Sequence, residues 1–173
     1  MPRAFISVGS NIEPERNVRR ALRLLARAVR ITGVSTFYRT APLGRPEQED
    51  FYNGVVEVET DIAPAELKRS VLRPVEEQLG RQRSADKYAA RTIDLDVLLY
   101  DELVIDTEGL TIPDPDIAER AFLAIPLHEL APDLVLPDSG RPIRDIAAAF
   151  ADHGMAPLAE YTQMLRESAT HGL

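Results

Sequence analysis

Apolar residues recur along the first sixty positions with the spacing of three strands and one helix. Residues 3–8 (RAFISV) and 51–60 (FYNGVVEVET) are short apolar or alternating runs typical of strands. Residues 32–42 (TGVSTFYRTAP) are rich in Thr, Val and aromatic side chains, which favours a further strand between those two. A helix is predicted over residues 15–30, because apolar residues recur there at helical spacing: Val18, Ala21, Leu22, Leu25, Ala28 and Val29.

A second helix and a fourth strand follow. Residues 62–80 (IAPAELKRSVLRPVEEQLG) predict a helix with Pro64 in its first turn and Gly80 at its end. Pro74 lies inside this segment, so the helix is expected to kink or to divide there. Residues 91–100 (RTIDLDVLLY) form an apolar, β-branched run typical of a buried strand.

The rest of the chain predicts shorter elements. Residues 103–105 and 110–113 are short strands, residues 114–132 and 143–154 contain short helices, and only a weak helix is indicated after residue 154. The sequence contains no internal repeat and no linker. The order β-α-β-β-α-β predicts an α+β fold, a ferredoxin-like βαββαβ sandwich with extra C-terminal strands and helices.

Composition and charge narrow the class of protein. The chain has 173 residues, a formal net charge of −8 and no cysteine, so it contains neither a disulfide framework nor a thiolate metal site. An acidic chain binds nucleic acid poorly, and no apolar run approaches the ~20 residues that span a bilayer. The N-terminus lacks the layout of a signal peptide. We therefore expect a cytoplasmic protein that binds small molecules, with no nucleic acid and no membrane as partner.

Two carboxylates stand inside the fourth predicted strand. Asp94 and Asp96 are two positions apart, so both project to one face, about 6.6–6.8 Å apart along the backbone, while Leu95 and Val97 face the other way. A charge buried without a partner is costly, so something must compensate these two. Converging carboxylates suit an ion site, and oxygen ligands favour Mg²⁺ bound together with substrate phosphates, in some sites as two ions about 3.5–4 Å apart.

A basic segment precedes that strand. Arg81, Arg83, Lys87 and Arg91 follow one another within a short stretch. Arginine does not coordinate metals, but its planar fork binds phosphate oxygens in pairs. The functional hypothesis is therefore a small anionic ligand held beside the aspartates. The structural alternative is an exposed sheet face on which the aspartates pair with Arg91 or Arg81.

The sequence around the aspartates resembles a known family. Residues 87–99 (KYAARTIDLDVLL) closely resemble the signature of the 6-hydroxymethyl-7,8-dihydropterin pyrophosphokinases, enzymes of folate biosynthesis. The resemblance covers about residues 3–147, and further similar segments follow in the family's order: ISVGSN, FYRTAPLG, DFYNGVVEVET, EEQLGRQR and LTIPDPDIAERAFLAIPLHELAPDLVLP. It implies a pterin pyrophosphokinase domain over residues 1–153 and a C-terminal tail of unknown role over residues 154–173, either an oligomer contact or disordered.

The resemblance implies a reaction and a metal. Members of this family transfer the terminal pyrophosphoryl unit of ATP to the hydroxymethyl oxygen of a reduced pterin and release AMP. By resemblance, Asp94 and Asp96 bind two Mg²⁺ ions, and ATP is the co-substrate. Arg81, Arg83 and Arg91 then contact the phosphates and, with the two aspartates, form the catalytic set. A monomer is expected.

The resemblance also implies the two binding sites. The pterin lies between two phenyl rings, with one amide at its polar edge and apolar and backbone groups around it: Phe51, Phe122, Asn53, Thr40, Pro42 and Leu43. Without the resemblance, each of these phenylalanines is more simply a core residue. The residues implied for ATP are Glu76, Lys87, Tyr88, Arg91, Thr111 and Arg120. For Glu76 the alternative is an ordinary helix-surface residue.

The sequence departs from the family at the nucleotide end. Asp114 stands where members usually carry a histidine, and Gly109 where many carry an arginine. Both changes remove a group that binds phosphate, and Asp114 adds a negative charge. A degenerate homologue that binds pterin or nucleotide without catalysis is therefore the first alternative. A two-metal nuclease or nucleic-acid-binding module is the second, which the charge of −8 disfavours. Two polar loops, 44–49 and 81–90, are expected to close over the substrates.

Overall fold

A six-stranded antiparallel sheet forms the frame of the molecule in the computed structural model, which describes residues 1–170. Its strands run in the order β5-β1-β4-β3-β8, and β2 also pairs with β4. The strand bounds are β1 Arg3–Ser10, β2 Arg30–Val34, β3 Tyr38–Thr40, β4 Phe51–Glu59, β5 Asp94–Tyr100 and β8 Ala156–Pro157. A separate two-stranded hairpin joins β6 (Ile105–Thr107) to β7 (Leu110–Ile112). The predicted ferredoxin-like α+β sandwich is confirmed, with β2 and β3 together in the place of its second strand.

That second strand was predicted as one continuous element over residues 32–42, which is wrong. It is interrupted at residues 35–37, where Ser35 Oγ accepts a hydrogen bond from the Val55 N–H at 2.9 Å and the Phe37 ring turns into the core. Phe37 fits because Gly54 faces it: a Cβ on Gly54 would lie 2.6 Å from the phenyl ring. Such long-range packing is invisible to local strand propensity.

The helix α1 (Pro14–Leu25) covers one face of the sheet and is shorter than predicted. The pattern predicted a helix to residue 30, but the chain turns after Leu25 and enters β2 at Arg30, which pairs with Glu59 of β4. The last apolar residues of the pattern, Ala28 and Val29, therefore lie in the turn between α1 and β2. The buried face of α1 packs on the sheet through Val18, Ala21, Leu22 and Leu25.

A three-part helical segment lies on the same face. It consists of α2 (Pro64–Leu67), a π-helical turn (Lys68–Leu72) and α3 (Arg73–Gln78). Pro74 explains the division, because proline lacks an N–H and its ring collides with the carbonyl four residues earlier. The backbone widens there, and the N–H of Arg73 donates to Lys68 O instead. The predicted kink or division at Pro74 is confirmed.

The opposite face of the sheet is only partly covered. After a 3₁₀ turn (Pro115–Ala118), helix α4 (Ala121–Leu130) and helix α5 (Ile143–Ala148) pack on it. Their apolar side chains meet Phe5, Val55, Leu98 and Leu99 of the central strands in a second core. None of the helices in the described part of the chain is long and apolar enough to cross a membrane.

The C-terminal segment continues the fold. Strand β8 pairs with β3, and helix α6 (Ala159–Thr170) packs beside α1, with Leu165 buried. Thr162 Oγ1 accepts a hydrogen bond from the Phe37 N–H at 2.9 Å, and the Tyr161 hydroxyl donates to Glu15 O at 2.7 Å. The division of the chain at residue 153 stays a prediction, and the last part of the predicted tail, residues 171–173, lies outside the described residues.

Candidate active site

The open end of the partly covered face carries the two aspartates of β5. Leu95 and Val97 point into the core on the face that α1 covers. Asp94 and Asp96 therefore point to the other face, as their spacing predicted. The neighbouring strand β1 presents small residues there: Ser7 pairs with Asp96, and Gly9 with Asp94. Because these residues have little or no side chain, they leave space above the centre of the sheet.

Strand β4 contributes further side chains to the same face of the sheet. Gly9 also pairs with Asn53, and a Cβ on Gly9 would lie 2.5 Å from the Asn53 side-chain oxygen. A glycine is therefore required for Asn53 to project over the sheet. Its Nδ2 donates to Thr40 Oγ1 at 2.7 Å, which orients the amide, and Phe51 lies two positions before it on the strand. This corner of the sheet offers one fixed amide beside an aromatic ring.

These groups meet in one cavity of about 370 Å³. It brings together most of the site residues expected from the sequence, from strands, loops and α4 alike: Thr40, Leu43, Phe51, Asn53, Lys87, Tyr88, Arg91, Asp94, Asp96, Arg120 and Phe122. Four of the expected residues do not line it, and neither do they line the second cavity described below: Pro42, Glu76, Arg81 and Arg83.

Arg81 lies beneath the aspartates instead of in an open loop. Its side chain is only 9% exposed, so Arg81 is not a solvated loop arginine, whereas the side chain of Arg83 is 50% exposed. Its Nη1 donates to Asp94 Oδ1, Glu76 Oε2 and the carbonyl of Ile93, each at 2.9 Å. Arg81 therefore anchors the start of β5 and supplies a counter-charge to Asp94 from below.

Glu76 is the centre of that buried ion cluster. It is 1% exposed, so the interpretation as a helix-surface residue is wrong. It accepts hydrogen bonds from the Leu95 N–H at 3.0 Å and from three arginines, Arg73, Arg81 and Arg83. Burial raises the pKa of the Glu76 carboxyl, while the backbone bond and arginine charges oppose that shift. Its contact with a nucleotide stays a prediction, and so do the phosphate contacts of Arg81 and Arg83.

Arg91 holds Asp94 from the cavity side. Its Nη1 donates to Asp94 Oδ2 at 2.8 Å, and its backbone N–H donates to Asn11 Oδ1 at 2.7 Å. Each oxygen of Asp94 thus has its own arginine, one from below and one from the cavity. Lys87, Arg91 and Arg120 are the cations that line the cavity itself.

The carboxylate of Asp96 has different surroundings from that of Asp94. Among the residues that the structure describes, no side chain or backbone group hydrogen-bonds or ion-pairs with its carboxylate. Burial raises the pKa of Asp96 to about 7, with the Asp94 charge as the next cause. Burial likewise raises the pKa of Asp114, which faces the same space. The charge of Lys68 opposes both shifts, but neither carboxylate forms an ion pair with a cation of the described residues.

Asp114 is the residue that sequence reasoning misjudged, because it was considered only as a lost histidine. Its side chain accepts the Asp116 N–H at 2.9 Å and caps the 3₁₀ turn, and it also lines the cavity. An Asp-Pro-Asp run before a helical turn is a capping signal that could have placed it. Ser7 and Gly9, which form the floor, gave no signal beyond small size.

A second, smaller cavity of about 290 Å³ adjoins the first, since Asp96 and Asp114 line both. Thr111, expected at the nucleotide, lies here instead of in the first cavity. Its other lining residues come from the π-helical turn, β5, the β6–β7 hairpin and the 3₁₀ turn: Lys68, Val97, Gly109, Leu110 and Pro115. The site is thus an elongated space with the aspartates at its middle.

Two loops meet over the entrance. Arg45 forms an ion pair with Asp86, and Gln48 Nε2 donates to Tyr88 O at 2.9 Å. The ring of Tyr88 packs on Gly44, where a Cβ would lie 3.0 Å from it. The two loops, 44–49 and 81–90, therefore touch each other, and Tyr88 of the second loop also lines the first cavity.

The donor set fits magnesium. Asp94 and Asp96 offer carboxylate oxygens only, and within residues 1–170 the carboxylate of Asp96 has no ion-pair partner. No group of three or more His, Cys, Asp or Glu side chains in the described residues is arranged to bind a metal. A hard ion that takes two carboxylates and completes its shell with phosphate oxygens and water matches this arrangement.

Comparison with known proteins gives the family. A family model described as 7,8-dihydro-6-hydroxymethylpterin-pyrophosphokinase (HPPK) matches residues 5–132. A 2-amino-4-hydroxy-6-hydroxymethyldihydropteridine pyrophosphokinase of Haemophilus influenzae is 39% identical over 158 residues, 90% of this chain and 97% of the relative. One from Bacillus subtilis is 41% identical over 130 residues, 73% of this chain and 77% of the relative.

A solved structure agrees on the fold. Wild-type HPPK-DHPS of Plasmodium falciparum superposes with a TM-score of 0.70 at 13% identity, covering 88% of this chain and 45% of that longer one. The fold and the sequence relatives together define a pyrophosphokinase. The chain belongs to the 7,8-dihydro-6-hydroxymethylpterin-pyrophosphokinase family, enzymes of folate synthesis, as the sequence resemblance implied.

Proposed function

We propose that this enzyme transfers the pyrophosphoryl group of ATP to the hydroxymethyl oxygen of 6-hydroxymethyl-7,8-dihydropterin, with Mg²⁺, and releases AMP. The observation that carries the proposal is the continuity of one cavity from Asn53 and Phe51 at one end to Asp94 and Asp96 at its middle. An acceptor bound at the first pair would present its hydroxymethyl group to the second pair. We further propose that the protein acts as a cytoplasmic monomer.

The pterin half of the cavity is suited to a flat heteroaromatic ring. Phe51 and Phe122 line it from β4 and α4, and Asn53 offers an amide fixed by Thr40. Stacking on aromatic rings and one directional polar contact are how such ligands are recognised. Leu43, from the first loop, adds an apolar contact at the entrance. Pro42 is proposed to act through the backbone of the same loop.

The phosphate half is suited to a magnesium-bound triphosphate. Asp94 and Asp96 would hold the metal, which when bound neutralises phosphate oxygens and lowers the cost of charge on the leaving group. The number of ions proposed is two. Arg91 and Arg120 line the cavity and Arg81 fixes Asp94 from beneath, so the protein's cations surround the same point.

The transfer itself exchanges one bond for another. The hydroxymethyl oxygen forms a bond to the β-phosphorus of ATP as the bond from that phosphorus to the α–β bridging oxygen breaks. AMP leaves with the bridging oxygen, and the hydroxyl proton is released. Positioning and charge stabilisation carry most of the catalysis in such reactions. Contact between the two loops over the entrance would exclude water, which otherwise competes with the acceptor.

Asp114 favours one alternative, a homologue that binds these ligands without catalysis, because it adds a carboxylate beside the phosphates. The state of Asp96 argues against it. A half-buried carboxylate without a hydrogen-bond or ion-pair partner among the described residues costs free energy in the absence of a cation, and a pure pterin binder does not need such a group.

The test is AMP release from Mg²⁺ and ATP, measured with and without 6-hydroxymethyl-7,8-dihydropterin. We expect pterin-dependent AMP, one per pyrophosphorylated pterin formed. Folded protein that binds pterin but releases no AMP at millimolar ATP would establish the non-catalytic alternative.

A further inference from the structure

The second cavity contains one cation among the residues that line it. Lys68 comes from the π-helical turn, and the carboxylates of Asp96 and Asp114 line the same space. None of the cations of the first cavity reaches it: Lys87, Arg91 and Arg120 line the first cavity alone. Any anionic group that enters the second cavity therefore meets Lys68 as its attractive partner.

The backbone places Lys68 there. Pro74 forces the widened turn, and the N–H of Arg73 donates to Lys68 O across five residues. Single π turns inside helices are frequent at functional sites, because the extra residue redirects the side chains before it. Lys68 is half-buried, whereas Arg69, the next residue, has a side chain 77% exposed and pairs with Glu66.

The ammonium group of Lys68 has N–H donors left over for a ligand. Its Nζ donates to the carbonyl of Gly109 at 2.6 Å, and an ammonium has three N–H donors, so two remain. Gly109 has a φ of +85°, and space within 4 Å of a Cβ there is empty. The hairpin therefore presents only backbone at this point, and Lys68 is the side chain that approaches it.

The two cavities share a wall, which fixes what can lie in the second. Asp96 and Asp114 line both, so a ligand whose reacting phosphate lies at the aspartates extends on one side toward Asn53 and on the other toward Lys68 and Thr111. The acceptor takes the first direction. A nucleoside triphosphate is then left with the second direction for its α-phosphate and ribose.

We propose that Lys68 binds the α-phosphate of the nucleotide in the second cavity and thereby contributes to the affinity for the nucleotide donor. The inference rests on the proposed function for the direction of the triphosphate. It accounts for how a site with Asp114 and Gly109 still attracts a polyanion. Because AMP retains the α-phosphate, Lys68 holds both the substrate ATP and the product AMP.

The experiment is calorimetric titration of the full chain with Mg²⁺-ATP and, separately, with AMP. Lys68→Met keeps the length of the side chain and removes the charge, Lys68→Arg restores a cation, and Arg69→Met removes the same charge one residue away, in solvent. One lost charge-assisted hydrogen bond predicts affinity weaker by about tenfold or more for both nucleotides in Lys68→Met. Arg69→Met is expected to bind like the native chain, and Lys68→Arg is expected to recover most of the loss.

A change of less than about twofold in Lys68→Met, or an equal loss in Arg69→Met, would overturn the inference. Thermal unfolding of the ligand-free variants checks that all three are folded.

Turnover separates this inference from the proposed function. Pterin-dependent AMP release with the same KM for ATP in Lys68→Met and in the native enzyme overturns the role of Lys68 and leaves the function in place. If the native enzyme shows no turnover while Lys68→Met binds nucleotides more weakly than the native chain, the proposed function is overturned and the role of Lys68 is supported. Failure of the native chain to bind either nucleotide overturns both.

Discussion

Two acidic side chains beside strand β5, Glu76 of α3 and Asp96 of β5 itself, have opposite surroundings. Glu76 is fully buried on the helical side, where three arginines and the Leu95 N–H satisfy it. Asp96 is half-buried in the cavity, and no group in the described residues hydrogen-bonds or ion-pairs with its carboxylate. The protein itself therefore satisfies the carboxylate of Glu76. The carboxylate of Asp96 is satisfied when a cation binds, as expected of a site at which the cation arrives with the substrate.

Removal of the unpartnered carboxylate has the largest expected effect. Asp96→Asn should lower kcat by about 10³-fold or more, because several kcal/mol of transition-state charge stabilisation depend on the metal it holds. Pterin binding should stay within about twofold of native, since Asn53 and Phe51 are untouched. Steady-state AMP release and pterin titration measure the two. Asp106→Asn, an exposed aspartate on β6, is the matched control, and near-native turnover in Asp96→Asn would remove Asp96 from the mechanism.

Loss of the satisfied carboxylate should instead reduce stability. Glu76→Ala leaves buried Arg81 without one of its two carboxylate partners, and breaking a buried ion pair from one side costs about 3–5 kcal/mol. Urea unfolding of the ligand-free protein measures the loss, with Glu77→Ala, its exposed neighbour, as control. Equal stabilities of the two variants would contradict a structural role for the Glu76 cluster.

The dependence of stability on pH should report the carboxyl of Asp96. The raised pKa of Asp96, about 7 against a usual 3.8, means that the native state holds one more proton than the unfolded state between those values. Stability of the ligand-free protein should therefore fall as pH rises through that window, by up to about 1.4 kcal/mol per pH unit for one proton. Unfolding midpoints at pH 5, 6, 7 and 8 test this, and Asp96→Asn should flatten the profile. An unchanged profile in that variant would assign the titration to another group.

The smallest expected effect lies at the far end of the cavity. Phe51→Ala should weaken pterin binding about tenfold through lost stacking and burial, and leave the dependence on Mg²⁺ unchanged. Phe150→Ala, which removes a phenyl ring from the second core away from the cavity, controls for general loosening. Equal pterin affinities for the two variants would show that Phe51 is an ordinary core residue.

Periodic patterns predicted the order of the main helices and strands and the shared face of the two aspartates. The period of two placed Asp94 and Asp96 on one face, and the β-α-β-β-α-β order gave the ferredoxin-like sandwich. The split of the second strand depends on Phe37 packing against Gly54, two residues that no local rule connects. The burial of Arg81 could not be read from a polar loop sequence, because its partners lie in other segments, Glu76 on α3 and the carbonyl of Ile93 immediately before β5.

The nucleotide end was the least predictable part. Its walls come from the π-helical turn, β5 and the β6–β7 hairpin, which are distant in sequence. Asp114 appeared only as a missing histidine, and Lys68 was not singled out, because a lysine on a helix is usually solvated. Both became informative once the structure placed them beside Asp96.

The decisive measurement is the thermal midpoint at pH 8 with a non-hydrolysable ATP analogue, before and after addition of Mg²⁺. If the carboxylate of Asp96 binds the metal, Mg²⁺ should raise the thermal midpoint of the native enzyme and of Asp106→Asn. At a hundredfold excess of ligand over Kd, binding adds about 2.7 kcal/mol to the free energy of unfolding. Asp96→Asn should show little or no rise. An equal rise in Asp96→Asn would contradict the assignment and place the metal elsewhere.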